Sequence, residues 1–373
     1  MKNFKVLPKS IGEYKVGIVQ KEFSYLGVDE DLREISVTIY YPTDSIDGLE
    51  KYPYIFKEMY DDYENYKHIS DVETHCYKGA ILSEKEKDFP VIIYNHGYGS
   101  FEMTNTVLCS DLASRGFVVV CPSHPGESTG IKYLDGRVLK MFPKYLNAMM
   151  EKAFMDSLSS LFEKIMTTDD NEEAKLIEYS REFFKLQERF NLRMNDWVRD
   201  TIETADFIDE LNHGLQGDLF KGRLRLNIGI GLTGHSYGGS TAFQACAVDD
   251  RFVCGVNIDG GDFGDEFGID VKKPFMILGN PMLIKMLKAA YQNNSNDSYL
   301  IGVLNSDHLG FTDSLFYDRE NGAANRIGSR DPYEFRELIT SYVLKFFEKY
   351  LLNKDVDIKE LKFDNVIYRE NIK

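Results

Sequence analysis

The sequence is poor in the features that mark membrane, secreted disulfide-rich and nucleic-acid-binding proteins. Positive charge is short: 44 lysines and arginines stand against 60 aspartates and glutamates, a net charge of −16. So acidic a chain excludes a general electrostatic grip on nucleic acid or anionic lipid. Long apolar runs are missing, and none approaches the ~20 residues that cross a bilayer, so no integral membrane segment is expected. Cysteine is scarce: Cys76, Cys109, Cys121, Cys246 and Cys254 are odd in number, far apart and mostly inside apolar runs. There is no Cys-x-x-Cys, which argues against structural zinc, and the five read as buried free thiols of a reducing compartment. Met1 to Pro8 lacks the apolar core of a secretory signal. The expected location is therefore the cytoplasm. Repeats and low-complexity linkers are also lacking. The acidic, glycine-rich run Asp259 to Asp270 does not have the spacing of a calcium loop, so neither metal nor cofactor is expected.

What is present is enough apolar material for a sizeable core, 43% of 373 residues, and the pattern of an alternating α/β chain. Tyr14–Gln20 and Leu32–Tyr41 read as strands, the second with Ile35, Val37 and Ile39 alternating with polar residues. Lys51–Glu86 shows no clear period and reads as irregular, with room for one short helix. Phe89–Tyr94 and Phe117–Cys121 are apolar strands on either side of a helix at Thr104–Arg115, a βαβ unit that implies a parallel sheet. From Tyr133 to Phe190 the period becomes helical, with Phe154, Leu158, Leu161, Phe162 and Ile165 in one stripe and Leu176, Ile177, Phe183 and Phe184 in another. The run Asp169–Glu173 between them reads as a helix cap with acids in the first turn. A further helix carries Met194, Trp197, Val198, Ile202, Ala205 and Ile208. Strands follow at Leu226–Leu232, Phe252–Ile258, Pro274–Leu278 and Ser298–Leu304, with a helix at Pro281–Tyr291. A long helix then starts behind Asp331 and Pro332.

Between the strand ending at Leu232 and a helical stretch from Ser240 stands Gly234-His235-Ser236-Tyr237-Gly238-Gly239. Gly-x-Ser-x-Gly alone is a weak signal, equally met in glycine-rich turns. Strand, sharp turn and helix around it make the setting of a nucleophile elbow. Eight strands, helices between the later ones and a serine elbow after the fifth describe an α/β-hydrolase: a mostly parallel eight-stranded sheet flanked by helices, one domain over 1–373 with a helical lid insertion at 133–190. That fold orders its triad serine, acid, histidine. Of the seven histidines only His308 follows Ser236, and it lies just past the last strand. The acid is expected at Asp259, at the end of the strand after the elbow, because Leu278-Gly279-Asn280-Pro281 offers no carboxylate. Asp262 and Asp265 compete with it. The oxyanion donors are expected to be the backbone N–H of Tyr237, next to the nucleophile, and of Tyr98, in the glycine-rich turn after the third strand.

Asn95-His96-Gly97-Tyr98-Gly99, the stretch Asp111–Val119, Gly234–Gly239 and Asp250–Gly255 together resemble the platelet-activating-factor acetylhydrolase family. The resemblance runs from Asn95 to Asp313, excluding the helical insert, which is longer than the family leads one to expect. It implies an acid on the strand after the elbow, matching Asp259. It also implies a segment His-x-x-Phe-x-Asp, matching His308, Phe311 and Asp313. The activity implied is a calcium-independent serine esterase that releases short acyl groups from a small ester or lipid-like substrate. The same machinery would serve an amidase, a dienelactone-type lactonase or an acyltransferase. A silent hydrolase-fold binding protein stands as the reading from another class.

Overall fold

The computed structural model describes residues 5–27, 31–60, 68–318 and 326–373. Its strands are β1 (Lys15–Leu26), β2 (Leu32–Thr43), β3 (Lys51–Pro53), β4 (Glu73–Lys78), β5 (Val91–Asn95), β6 (Val118–Pro122), β7 (Gly130–Lys132), β8 (Val138–Lys140), β9 (Ile230–His235), β10 (Phe252–Ile258), β11 (Phe275–Gly279), β12 (Ser298–Val303) and β13 (Val366–Asn371). Its helices are α1 (Thr106–Ser114), α2 (Pro143–Met150), α3 (Lys152–Thr167), α4 (Glu173–Leu186), α5 (Glu188–His213), α6 (Tyr237–Val248), α7 (Pro281–Met286), α8 (Lys288–Asn293), α9 (Ser314–Tyr317) and α10 (Pro332–Tyr350).

Among the described residues the main sheet has 11 strands, not eight, in the order β13-β12-β11-β10-β9-β5-β6-β2-β1-β4-β3. Its centre, β6-β5-β9-β10-β11-β12, is parallel throughout. The three strands beyond the expected eight are all peripheral. β3 and β4 pair antiparallel at one edge, and β13 runs antiparallel to β12 at the other. The stretch Lys51–Glu86 therefore holds two strands where no period is visible, and residues 61–67 of it lie outside the described residues.

The central strands are short, mostly apolar runs buried on both faces, as parallel strands require. In β5, Ile92 and Tyr94 face one core with Leu108 and Leu112 of α1 and Phe346 and Phe347 of α10. Val91 and Ile93 face the opposite core with Ala205 and Ile208 of α5, Ala242 of α6 and Leu283 of α7. That alternation is the strand's period of two. Register then brings the strand ends level: Asn95 pairs with Gly234, His235 with Ile258, and Ile258 with Leu278. Every chain exit at this edge opens onto one place.

The helical insertion begins at Pro143 rather than Tyr133. Residues 130–140 instead form the two-stranded β7–β8 hairpin. Leu161 and Ile165 of α3 pack with Leu176 and Phe183 of α4 and with Met286 of α7. The link between α3 and α4 is fastened from below. Lys285 Nζ donates to the Met166 and Thr168 carbonyls at 3.0 and 2.9 Å, and Lys288 Nζ to that of Asp170 at 2.7 Å. Cations thus satisfy the carbonyls at and beyond the C-terminal end of α3, where the helix dipole favours positive charge. The acidic run does less capping than its sequence promises. Glu172 is the N-cap of α4 without a side-chain capping bond, Glu173 lies in its first turn, and Asp169 accepts from the Asn171 N–H.

Candidate active site

β9 ends at His235, and the chain turns sharply into α6 through Ser236, which has φ 57 and ψ −126. A non-glycine residue in this region carries strain of order 1–3 kcal/mol. The surroundings hold it there. Gly238 lies so close to β5 that a Cβ would stand 2.1 Å from the Asn95 carbonyl oxygen, so only glycine lets the elbow sit down on the sheet.

His308 comes from the short 3₁₀ turn after β12. Its Nε2 is 2.9 Å from Ser236 Oγ and its Nδ1 is 2.7 Å from Asp259 Oδ2. Asp259 follows β10, is fully buried, and has positive φ of 53. The three residues expected from sequence are therefore brought together as one hydrogen-bonded row. His308 remains about 30% exposed, so the row opens to solvent at the serine end. Neither competing acid joins it. Asp265 accepts from Asn195 Nδ2, and Asp262 Oδ2 from the Gly268 N–H at 2.8 Å.

The turn after β5 lies directly on the elbow: a Cβ on Gly97 would stand 3.2 Å from Ser236 Cβ. Tyr98 sits at its apex. The N–H of Tyr237 belongs to the first turn of α6, where no intrahelical acceptor exists. The two tyrosine rings pack edge to face, their centroids 5.4 Å apart. Around them close Phe154 of α3, Phe190, Met194 and Trp197 of α5, and Phe263 of the loop after β10. The Tyr237 hydroxyl donates to the Phe190 carbonyl. The insertion thus packs on the two residues named as oxyanion donors.

Several supporting residues escape a sequence reading. Asn280 is one. Its N–H donates to Asp259 Oδ1 at 2.7 Å and its Nδ2 to Oδ2 at 3.1 Å, while its own Oδ1 caps α7. Asp259 therefore meets donors on both oxygens and is held in one orientation. His96 is another: Nδ1 is 2.8 Å from the Gly97 carbonyl and Nε2 is 2.9 Å from Ser128 Oγ. Burial pushes its pKa down to about 3, so the ring is neutral and simply braces the turn. Behind the turn, Glu127 is buried and bound by Arg193 and by Trp197 Nε1, and its carbonyl accepts from the Gly99 N–H. Deeper still, Asp200 accepts two bonds from Arg33, at 2.8 and 2.7 Å, one from Tyr25 and one from His124 Nδ1. His124 Nε2 in turn lies 3.1 Å from Asn95 Oδ1, at the start of the turn. Spacing gives no hint of this, because residues 33, 95, 124 and 200 meet only through the fold.

His235, Asp259 and His308 each offer a ligand-type atom within 4.8 Å of the others. This group is the hydrogen-bonded row with its neighbour His235, and hydrogen bonds within the protein engage His235 Nε2, both His308 nitrogens and Asp259 Oδ2.

Asp262 has a consequence for stability. Burial raises its carboxyl to about 7, against the lowering effect of the Gly268 N–H, and its Oδ1 has no partner among the described residues. A carboxyl raised above its unfolded value of ~4 stabilises the fold at low pH and loses that contribution as pH climbs toward 7. Glu102, also buried and raised to about 7, works with the same sign. The melting temperature is expected to fall between pH 5 and pH 8, and Asp262→Asn to flatten part of that slope. Identical slopes in the two proteins, measured by calorimetry, would contradict the assignment.

The fold and the serine–histidine–aspartate row define an α/β-hydrolase of the serine type. Its likeness to known proteins agrees. The family model of platelet-activating factor acetylhydrolase, isoform II, matches residues 1–367, and the chain belongs to this family. Platelet-activating factor acetylhydrolase of Canis lupus familiaris is 23% identical over 98% of this chain and 83% of its own. That of Gallus gallus is 23% identical over 80% of this chain and 70% of its own. Among solved structures, a ferulic acid esterase from Streptomyces cinnamoneus superposes with a TM-score of 0.73 at 18% identity, covering 98% of this chain and 99% of that one. The protein is an ester hydrolase. Among the described residues no helix is long and apolar enough to cross a membrane.

Proposed function

We propose that this esterase works through Ser236, His308 and Asp259, by way of an acyl-enzyme. The observation that carries the reading is the pair of bonds at His308, 2.9 Å to Ser236 Oγ and 2.7 Å to Asp259. His308 Nε2 takes the Ser236 proton as Oγ attacks the ester carbonyl, then gives it to the departing alkoxide. Asp259 holds Nδ1–H, fixing the tautomer and stabilising the imidazolium. The N–H groups of Tyr98 and Tyr237 take the oxyanion, and water releases the acid by the reverse of the same steps. No metal or cofactor has a part in this scheme.

For substrate we propose a short-chain acyl ester of a lipid-like alcohol. The relatives' name speaks for an acetyl group on platelet-activating factor, and Tyr98, Phe154, Phe190 and Phe263 pack apolar side chains around Tyr237, the residue next to Ser236. The five cysteines are buried and free, which supports a cytoplasmic location. A panel of p-nitrophenyl esters of rising acyl length, with a feruloyl ester and an acetylated phospholipid, tests the substrate reading. Turnover is expected to be highest for acetate and to fall with chain length. A maximum at long acyl chains, or at the feruloyl ester, would overturn it.

We further propose that residues 143–190 form a lid that shapes the leaving-group pocket and excludes water from the oxyanion. Replacing them with a short Gly/Ser linker should spare a small activated acetate ester more than a bulky or lipid-like one. Equal loss on both substrates, in a chain that still folds, would remove the lid from substrate selection.

A further inference from the structure

The residue before the nucleophile is itself tied to the base. His235 ends β9, is buried, and presents Nε2 to the backbone carbonyl of His308 at 3.0 Å. A carbonyl only accepts, so Nε2 carries the proton and Nδ1 is bare. Nδ1 faces the glycine-rich turn, 3.4 Å from where a Cβ on Gly97 would stand, and a larger residue there would crowd the ring. The two imidazoles lie with centroids 4.7 Å apart and planes 38° from parallel. The same carbonyl opens the 3₁₀ turn His308–Phe311, so His235 adds a side-chain donor to the turn's own backbone ladder. The rest of its segment is held further along: Asn105 Nδ2 donates to the Phe311 carbonyl at 2.6 Å, and the Asp313 N–H to the Thr104 carbonyl at 2.9 Å.

We propose that His235 is a positioning residue: its Nε2–H bond to the His308 carbonyl fixes the base relative to the serine one peptide away. This rests on the triad reading of the preceding section. The arrangement makes chemical sense beyond geometry. Burial and the neighbouring His308 push the His235 pKa well below its usual value, so the ring stays neutral. A neutral donor holds the loop without opposing the positive charge His308 gains during the reaction, whereas a lysine or arginine there would oppose it. Because Oγ and Nε2 must meet at hydrogen-bond distance, a shift of about 1 Å in the base costs roughly 10²-fold in rate.

The test compares His235→Leu, which removes the donor, with His235→Gln, whose Nε2 reaches the same point, and His235→Asn, whose amide falls short. Leu and Asn should lower kcat on a p-nitrophenyl acetate by about 10²-fold with KM unchanged, and Gln should restore most of it. The far-downfield proton resonance of the His308–Asp259 bond should persist in the Gln variant and broaden or shift in the Asn variant. Wild-type kcat in the Leu or Asn variant, equal loss in Gln and Asn, or a loss that merely follows a fall in melting temperature would each overturn the proposal. His308→Ala, measured alongside, separates the two levels. If it retains full activity the triad reading fails, and if it is inactive while His235→Asn is normal, this proposal alone fails.

Discussion

Ser236→Ala is expected to give a folded protein whose ester hydrolysis is lower by roughly four to six orders of magnitude. The fold should survive because Ser236 Oγ is bonded to His308 and to no other described side chain. Alanine meets the same backbone strain at φ 57 as serine does, so the elbow keeps its shape. The chemistry should not survive, since no other hydroxyl stands within reach of His308 Nε2 among the described residues. What remains is the turn's ability to bind a carbonyl and polarise it, which explains why the residual rate stays above that in water. Turnover near wild type in a folded variant, followed with an acetate ester, would refute the nucleophile.

Asp259→Asn is expected to lower kcat by about 10⁴-fold. The wild-type carboxylate accepts on both oxygens, from Asn280 and from His308. An amide has only one acceptor oxygen. If that oxygen serves the Asn280 N–H, the amide NH₂ faces His308 Nδ1 and selects the tautomer whose Nε2 already carries a proton. Such a ring cannot take the serine's proton. Asp262→Asn and Asp265→Asn should be mild by comparison, since neither touches His308. A crippling Asp262→Asn beside a mild Asp259→Asn would show that the acid lies elsewhere.

The site was more legible in the sequence than its supports. Glycines around a serine between an apolar strand and a helix state a steric requirement, and the structure meets it at Gly238, where no Cβ fits. His308 was reachable by exclusion because histidines are few. Asp259 was reachable because an acid beside glycines at a strand end has few other uses. Asn280 was read only for the carboxylate it lacks, yet it holds both oxygens of Asp259. That role arises from the register of β10 on β11, which no local pattern encodes. The Arg33–Asp200–His124 cluster is hidden for the same reason.

The missed strands have a different cause. β4 does alternate, but Thr74 and Cys76 occupy its buried positions, so no apolar period shows. β13 is half-buried along its whole length and has no face to advertise. Both lie away from the parallel centre of the sheet, where side chains need not be apolar. The second strand of the 130–140 hairpin falls inside the expected 133–190 insertion because three-residue strands leave no period to read.

The most direct test of the account is active-site labelling with a fluorophosphonate, which reacts only with a serine activated by its base. The account predicts a stoichiometric adduct that maps by peptide mass spectrometry to Ser236, disappears in Ser236→Ala and forms far more slowly in His308→Ala. A folded protein that takes up no label, or carries it on another residue, would contradict it.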